Sequence, residues 1–427
     1  MLNMEVHDLI GVGFGPSNLA LAIALQEHGS RGEPVRMLFL EREPRFAWHE
    51  HMMLADTRMQ VAFLKDLVSL RNPRSHFTFV NYLHEQNRLQ DFINLKTFYP
   101  SRHEFGDYLA WAAGHFSDCV DYGNEVLEVT PHLGQEGVHL LKVHTRDGQG
   151  QDHYHLTRHL VIGIGGSSRI PDQFAQLRHD KRIFHSSGYL KSIPEHMHAQ
   201  RVAVIGAGQS AAEIFMDLPN QSANVQVDLI MRNSALRVAD DSPFVNEIFN
   251  ADLIDQLYDS PEQNAAYIKD FWHTNYAAAD LDLVENIYQV IYQQKVRGLN
   301  GHRILNNQEI TAVQSRAEGV SITLKDRCRD ACTTHTYDAV ILATGYRRDH
   351  HLALLKPLAS YLGDFRVDRQ YRLHTTPDFR PSIFLQGACE SSHGLSDTLL
   401  SVLATRSAQI TAALTASLSA CEQGQLR

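Results

Sequence analysis

Cysteine is scarce in this sequence. Five stand among 427 residues, at positions 119, 328, 332, 389 and 421, and no two are spaced as C-x-x-C. That pattern excludes a disulfide framework and a dithiol able to relay electrons, and it points to a reducing, cytoplasmic setting. Basic excess is missing as well. A formal net charge of −10 counts against nucleic acid and against electrostatic docking on anionic lipid. No run is suited to crossing a membrane. The longest uncharged stretch, Leu9 to Gln26, is broken by three glycines, Pro16, Ser17 and Asn18, and Glu5 and Asp8 precede it where a signal peptide would be positive. Metal-ligand spacing is absent too. The 25 histidines include the H-x-H pairs of "DHYHL" and "EHMHA" and the neighbours His350 and His351, none with a cysteine or carboxylate cluster at zinc spacing. No metal is expected.

What is present is an ordinary globular composition, 43% hydrophobic and 21% charged, long enough for two or three domains. Short β-like runs alternate with longer helical ones, the pattern of a doubly wound α/β fold. "VHDLIGVG" is a buried strand, "PSNLALAIALQEHG" the helix after it and "VRMLFLERE" the next strand. The unit recurs as "RVAVIGAG", "QSAAEIFMDL" and "VQVDLIMR". "HLVIGIGGSSRIP" reads as a strand breaking at glycines into a crossover, and "YDAVILATGY" has the same form. From Asp240 to about Gly298 the strand signal fades into an aromatic-rich helical pattern, and "LSDTLLSVLATRSAQITAALTASL" reads as one last helix. The expected domains are 1–168 with 365–427, 169–239 with 301–364, and a helical subdomain over 240–300. Cys328 and Cys332 fall in a polar surface hairpin without a function.

Each repeated unit carries a glycine loop between its strand and its helix, the geometry that cradles a dinucleotide. In the first, Gly11 and Gly13 permit a tight turn and close approach of backbone to pyrophosphate, and the helix beyond presents free N–H groups to the anion. Pro16 stands where the fingerprint has its third glycine. At the first helical turn proline gives up only an N–H without an intrahelical partner, and Gly15 supplies the flexibility. Glu41 ends the following strand, where a carboxylate accepts hydrogen bonds from ribose hydroxyls. It lies 26 residues from Gly15, against the usual ~20. In the second unit, Gly206 and Gly208 form the loop and the corresponding strand ends at Arg232, with no acid nearby. An arginine there suits a 2′-phosphate; a solvated strand end is the alternative. Two loops therefore imply two nucleotides, FAD first and NADPH second.

Longer motifs narrow the chemistry. "GVGFGPSNLAL", "MQVAFLKDLVSLRNPRSHFTFVNYL", "TFYPSRHEFGDYLAWAA", "DDSPFVNEIF", "HTNY" and "SHGLSDTLLSVL" together resemble the flavin-dependent N-hydroxylating monooxygenases of siderophore biosynthesis, most of all the bacterial L-ornithine N5-monooxygenases. The resemblance spans about Asp8 to Arg406. It implies that NADPH reduces FAD, that O₂ then gives a C4a-hydroperoxyflavin, and that the neutral side-chain amine takes its distal oxygen. No protein nucleophile is implied; positioning and a dry pocket suffice.

Carried over position by position, Lys65 matches the contact to the substrate carboxylate, while Asn246 and Asn275 match positions holding the amino acid's α-amino and carboxylate groups. Leu399 matches a backbone position near the substrate amine. Trp48, His49 and Gln60 match contacts near the isoalloxazine ring, and Val126 a backbone contact on the adenine side. Pro16, Ser17 and Asn18 belong to the first nucleotide loop, and Gln209 and Ser210 to the second. Ser396, Asp397 and Thr398 are expected to open the last long helix with its N-terminus toward the flavin, where its dipole stabilises an anionic reduced ring. Taken alone, a lysine among apolar residues would snorkel, an asparagine would cap a helix and a Ser-Asp pair would do no more than cap.

Several readings remain open at this level. The same chemistry on L-lysine or a diamine differs by one methylene or one carboxylate, and a methylene is worth only ~1–3 kcal/mol of discrimination. An NADPH oxidase, a Baeyer–Villiger-type oxygenase or a nucleotide-binding redox sensor would use the same scaffold. Relatives with this chemistry are often homo-oligomers, though no interface is legible from the residues.

Overall fold

The computed structural model describes residues 5–29, 34–134, 137–221 and 224–425, with side chains described as far as residue 419. Its centre is a sheet grown from Val6–Val12, which lies between two parallel neighbours. Leu9 aligns with Met37 of Met37–Glu41 on one side and with His159 of Asp152–Ile162 on the other. Val120–Tyr122 extends the sheet beyond Met37–Glu41. The long strand Asp152–Ile162 has two partners in succession. Its first half pairs antiparallel with Gly137–Asp147 and its second half pairs parallel with Ile383–Leu385. Leu9, Ile10, Phe39, Leu160 and Val161 are fully buried. A parallel sheet covered on both faces needs such unbroken apolar runs. The helix Pro16–Gly29 begins at the proline and packs against the tail helix Leu403–Gln425.

A second sheet is wholly parallel, in the order His302–Leu305, Gln226–Ile230, Arg201–Ile205, Ala339–Leu342 and Ile183–His185. The helix Gln209–Gln221 lies over it, and an antiparallel meander of Gln308–Arg316, Gly319–Asp326 and Cys332–Tyr337 follows. Both repeated units therefore form as expected, and the architecture is α/β with two Rossmann-like sheets. Two crossings link them, joined where Ser167–Ser168 pairs with Tyr346–Arg347. The stretch after Asp240 is helical, with helices Ala251–Tyr258, Pro261–Asp270 and Leu281–Val296. Cys328 and Cys332 are exposed in the hairpin expected for them.

The tail differs from its expected single helix. Leu395–Thr398 and Leu400–Val402 are separate 3₁₀ turns broken at an extended Leu399, and the α-helix starts only at Leu403. Ser396, Asp397 and Thr398 thus do not open the long helix. Gly394, in the left-handed region at φ 79°, throws the chain out of helical register ahead of them. Among the described residues no helix is long and apolar enough to cross a membrane.

Candidate active site

The first glycine loop is held from beneath. The Gly13 amide donates to the Leu40 carbonyl at 2.8 Å. With φ at 82°, a Cβ there would sit 2.7 Å from the Gly163 carbonyl oxygen, so only glycine fits. Gly11 is closed by Phe39, 2.2 Å from where a Cβ would stand, whereas Gly15 has nothing within 4 Å. The loop is therefore packed below and open above, which fits a pyrophosphate lying on the Gly15 side. Pro16 occupies the first helical position, as its chemistry requires. Glu41, expected at a ribose, also braces the loop, since its two oxygens accept from the Phe14 amide at 2.7 Å and the Glu43 amide at 3.0 Å. Asn18 lies wholly buried under the turn. Its amide donates to the Val12 and Gly13 carbonyls at 3.1 and 2.6 Å and accepts from Gln386 at 2.7 Å. Val126 is buried on the strand Asn124–Gly134, which packs beside Met37–Glu41.

The expected partners of a flavin pyrimidine behave differently. Ser396 and Asp397 are buried to 1% and 0% exposure. Asp397 receives the Arg406 guanidinium at 3.0 Å and the Cys389 amide at 2.6 Å, and Arg406 reaches on to the Ser17 hydroxyl at 2.9 Å. This buried ion pair ties the tail to the first helical turn of the nucleotide loop. Arg406, unremarked in the sequence, stands only nine positions from Asp397, and nothing in that spacing says that the pair turns inward.

The second loop repeats the logic. At Gly206 a Cβ would fall 2.3 Å from the Ala343 carbonyl oxygen, while Gly208 has room around it. Arg232 is exposed two positions beyond Gln226–Ile230, with its side chain outside every ion pair among the described residues. Gln209 and Ser210 begin the helix.

Gln60 and Gln209, expected at different nucleotides, converge on one acid. Asp280 accepts from Gln60 at 2.8 Å and from Gln209 at 3.0 Å, and its own amide donates to the Gln209 side chain at 2.9 Å. Gln209 also donates to Glu213, which binds Arg102 through two hydrogen bonds of 2.7 and 2.9 Å. One network thus spans both nucleotide units and the helical stretch. Burial raises the Asp280 pKa, against the opposing pull of its glutamine partners. Asp280, Glu213 and Arg102 were not singled out in the sequence, since charged residues on helices ordinarily face water.

His49 is exposed and holds a left-handed conformation, φ 50°. Water reaches it, yet crowding by protein, then the positive Arg102 and Arg348, push its pKa down to about 4, so the ring is neutral near pH 7. Trp48 packs edge-on beside it, 5.2 Å between centroids, and against Phe105.

Lys65 is half-buried, and desolvation lowers its pKa. Among the described residues no carboxylate pairs with it. Its loop is knotted by the next residue. Asp66, 2% exposed, accepts from the amides of Val68, Ser69 and Phe79 and from the Ser69 hydroxyl, all at 2.6–2.9 Å. Asn275 precedes Tyr276, whose hydroxyl bonds Glu390 and touches Thr398, and burial raises that phenol to about 12. Asn246 donates to the Asp241 carbonyl at 2.7 Å, and its turn packs against Leu395–Thr398. The asparagines are thereby brought toward the segment of Thr398 and Leu399. Among the described residues no three His, Cys, Asp or Glu side chains group as a metal site would.

Residues 5–348 match the family described as L-lysine 6-monooxygenase/L-ornithine 5-monooxygenase. The chain belongs to this family. An L-ornithine N(5)-monooxygenase of Pseudomonas aeruginosa is 47% identical over 418 residues, 96% of this chain and 94% of the relative. Among solved structures, the ornithine hydroxylase PvdA from Pseudomonas aeruginosa superposes with a TM-score of 0.94 at 46% identity, covering 97% of this chain and all of the other. A Kutzneria sp. 744 ornithine N-hydroxylase, with reduced FAD, NADP⁺ and L-ornithine, gives 0.90 at 36% identity over 96% and 99% of the two chains. Both likenesses extend beyond the family match at residue 348 and so take in the tail with its buried Asp397–Arg406 pair.

Proposed function

We propose that the chain is an FAD- and NADPH-dependent monooxygenase that hydroxylates the side-chain amine of L-ornithine, giving N5-hydroxyornithine for a siderophore or related hydroxamate. The observation that carries this reading is Lys65, a half-buried ammonium with no carboxylate paired to it among the described residues, in a loop that Asp66 ties together by hydrogen bonds. A site built around such a cation suits an α-carboxylate, where a charge-assisted bond fixes one end of the substrate. Asn246 and Asn275 would take the α-amino and carboxylate groups, with Leu399 near the reacting amine.

FAD would lie on the Gly11–Gly13–Gly15 loop, with Ser17 at the first helical turn, Glu41 at the ribose, Val126 by the adenine, and Trp48, His49 and Gln60 near the ring. NADPH would lie on Gly206 and Gly208, with Gln209, Ser210 and Asn275 in reach and Arg232 on the 2′-phosphate. When bound, the flavin reduced by NADPH supplies activated oxygen from O₂ to the amine. The chain's own work is to orient the amine, keep water out and hold its polar groups still. Residues 1–168 with 365–427 form the FAD domain, 169–239 with 301–364 the NADPH domain and 240–300 the substrate subdomain. A cytoplasmic location and a homo-oligomeric state belong to the same proposal.

The test is NADPH oxidation by the purified yellow protein with ornithine, lysine or putrescine, with hydroxylamine quantified beside peroxide. Hydroxylamine from ornithine above the other two is expected. Peroxide alone, indifferent to amines, would make the protein an oxidase. Preference for lysine or putrescine would leave the chemistry and change the substrate, a reading kept open because the family description covers lysine as well.

A further inference from the structure

The segment that carries Trp48 and His49 is anchored in the opposite half of the molecule. Just past His49, Met52 and Leu54 are 5% and 3% exposed. They belong to the core between the second sheet and the helix Gln209–Gln221, with Tyr189, Ile193 and Phe215. Every other residue of that core lies between Phe184 and Ala343. The turn Glu50–Met52 packs against Ser186–Gly188 and Tyr189–Ser192, which follow the edge strand Ile183–His185. On its other flank the segment stays with the first core. Trp48 packs on Phe105, and a Cβ on Gly106 would stand 2.8 Å from the Met53 methyl. The Arg102 amide donates to the Thr57 carbonyl at 3.0 Å. One short segment thus spans two cores.

We propose that Met52 and Leu54 are positioning residues for reduction of the flavin. Seated in the second core, they fix the backbone of Trp48 and His49 relative to the unit that presents NADPH. The inference rests on the functional reading above and holds whichever amine is hydroxylated. The link is short. The Met52 amide donates to the His49 carbonyl at 2.7 Å, closing the turn onto the residue whose φ is 50°. A residue with a side chain keeps a left-handed backbone only where its surroundings over-determine it, and the Met52 anchor is such a constraint. Close-packed cores transmit a displacement instead of absorbing it. A shift of the second sheet would therefore carry Met52 with it and turn His49. Asp280 ties the same halves by hydrogen bonds. Met52 and Leu54 tie them by buried apolar surface, next to the residues expected at the flavin ring. Reduction depends on the mutual placement of the two rings, and a displacement of about 1 Å can cost about a hundredfold in rate.

Anaerobic mixing of the FAD-loaded full chain with saturating NADPH, followed by bleaching of the flavin band, tests it. Met52→Ala and Leu54→Ala should each slow reduction about ten- to a hundredfold, with flavin still bound. Leu218→Ala truncates the same core near the far end of the helix Gln209–Gln221. It should lower the thermal midpoint as Leu54→Ala does, yet leave reduction at the wild-type rate. Met52→Leu, which conserves volume, should keep that rate as well. Unchanged reduction in both alanine variants, or equal slowing in Leu218→Ala, overturns the proposal. Where an alanine variant loses its flavin, the smaller truncation Leu54→Val decides: slower reduction upholds the anchor and an unchanged rate overturns it. A wild type that NADPH does not reduce would overturn the functional reading and this inference with it. Normal reduction in wild type and variants alike overturns the inference alone.

Discussion

Lys65 shows what can be read in a single residue and what cannot. Its type and the motif "FLKDL" mark it as a carboxylate contact; its half-burial, its lack of a carboxylate partner among the described residues and the Asp66 knot beside it come only from the fold. A hydrogen bond to a charged group contributes about 1.5–3 kcal/mol. Lys65→Ala should therefore raise the KM for ornithine about 10- to 100-fold. Turnover of putrescine, which has no carboxylate, should change little. Steady-state kinetics on both substrates checks this, and equal losses on the two would assign Lys65 a structural role. Asp397 carries a structural role that its motif does not show. The motif points to the cofactor, and the structure adds a carboxylate buried on Arg406. Removing one partner of a buried pair strands the other charge at a cost of about 3–5 kcal/mol. Asp397→Ala should accordingly lower the thermal midpoint and leave much of the protein without flavin, measured as absorbance near the flavin band; an unaltered midpoint would contradict the buried pair.

At the scale of elements, both strand–loop–helix units were legible to within a few residues, because a doubly buried parallel strand has to be apolar throughout and its loop has to be glycine. The antiparallel strands were not. Asn124–Gly134, for example, alternates buried and exposed positions and carries Glu125 and Glu128, a pattern too polar to stand out from loop. The tail was misread as one helix because its composition favours helix, and the break depends on Gly394 and an extended Leu399. Asp280 caps this scale, since it sits where three elements meet. Asp280→Ala should leave the Gln60 amide without its acceptor and the Gln209 amide with Glu213 alone. The expected outcome is a higher KM for NADPH, by about tenfold for each ~1.4 kcal/mol lost, and more peroxide per NADPH consumed. A variant as tightly coupled as the wild type, with unchanged KM, would show that the network only fills space.

For the whole molecule, the most general consequence concerns acid. His159 and His393 are 1% and 0% exposed, and burial pushes both pKa values down to about 4. His393 is wedged on Tyr371 at 4.0 Å between ring centroids, with the Arg369 carbonyl and the Ser392 hydroxyl at its two nitrogens. His159 accepts the Ser382 amide at 3.0 Å, which its neutral form alone can do at that nitrogen. In the unfolded chain each titrates near 6.5. Between about pH 6.5 and 4 the unfolded state therefore binds protons that the folded state refuses, and stability falls as pH falls, by about 1.4 kcal/mol per pH unit for each histidine. Buried acids work against this slope. Asp66 and Glu390, both raised by desolvation, take up protons more readily when folded and so gain stability on acidification. The net slope mixes the two, and a substitution separates them. His393→Gln keeps a donor for the Arg369 carbonyl and removes the titration. Thermal midpoints followed from pH 7 to pH 5 should drop less steeply in that variant than in the wild type, even where its midpoint at pH 7 is lower. Parallel slopes would mean that the His393 ring takes up its proton as readily in the folded protein as in the unfolded chain, against its burial beneath Tyr371.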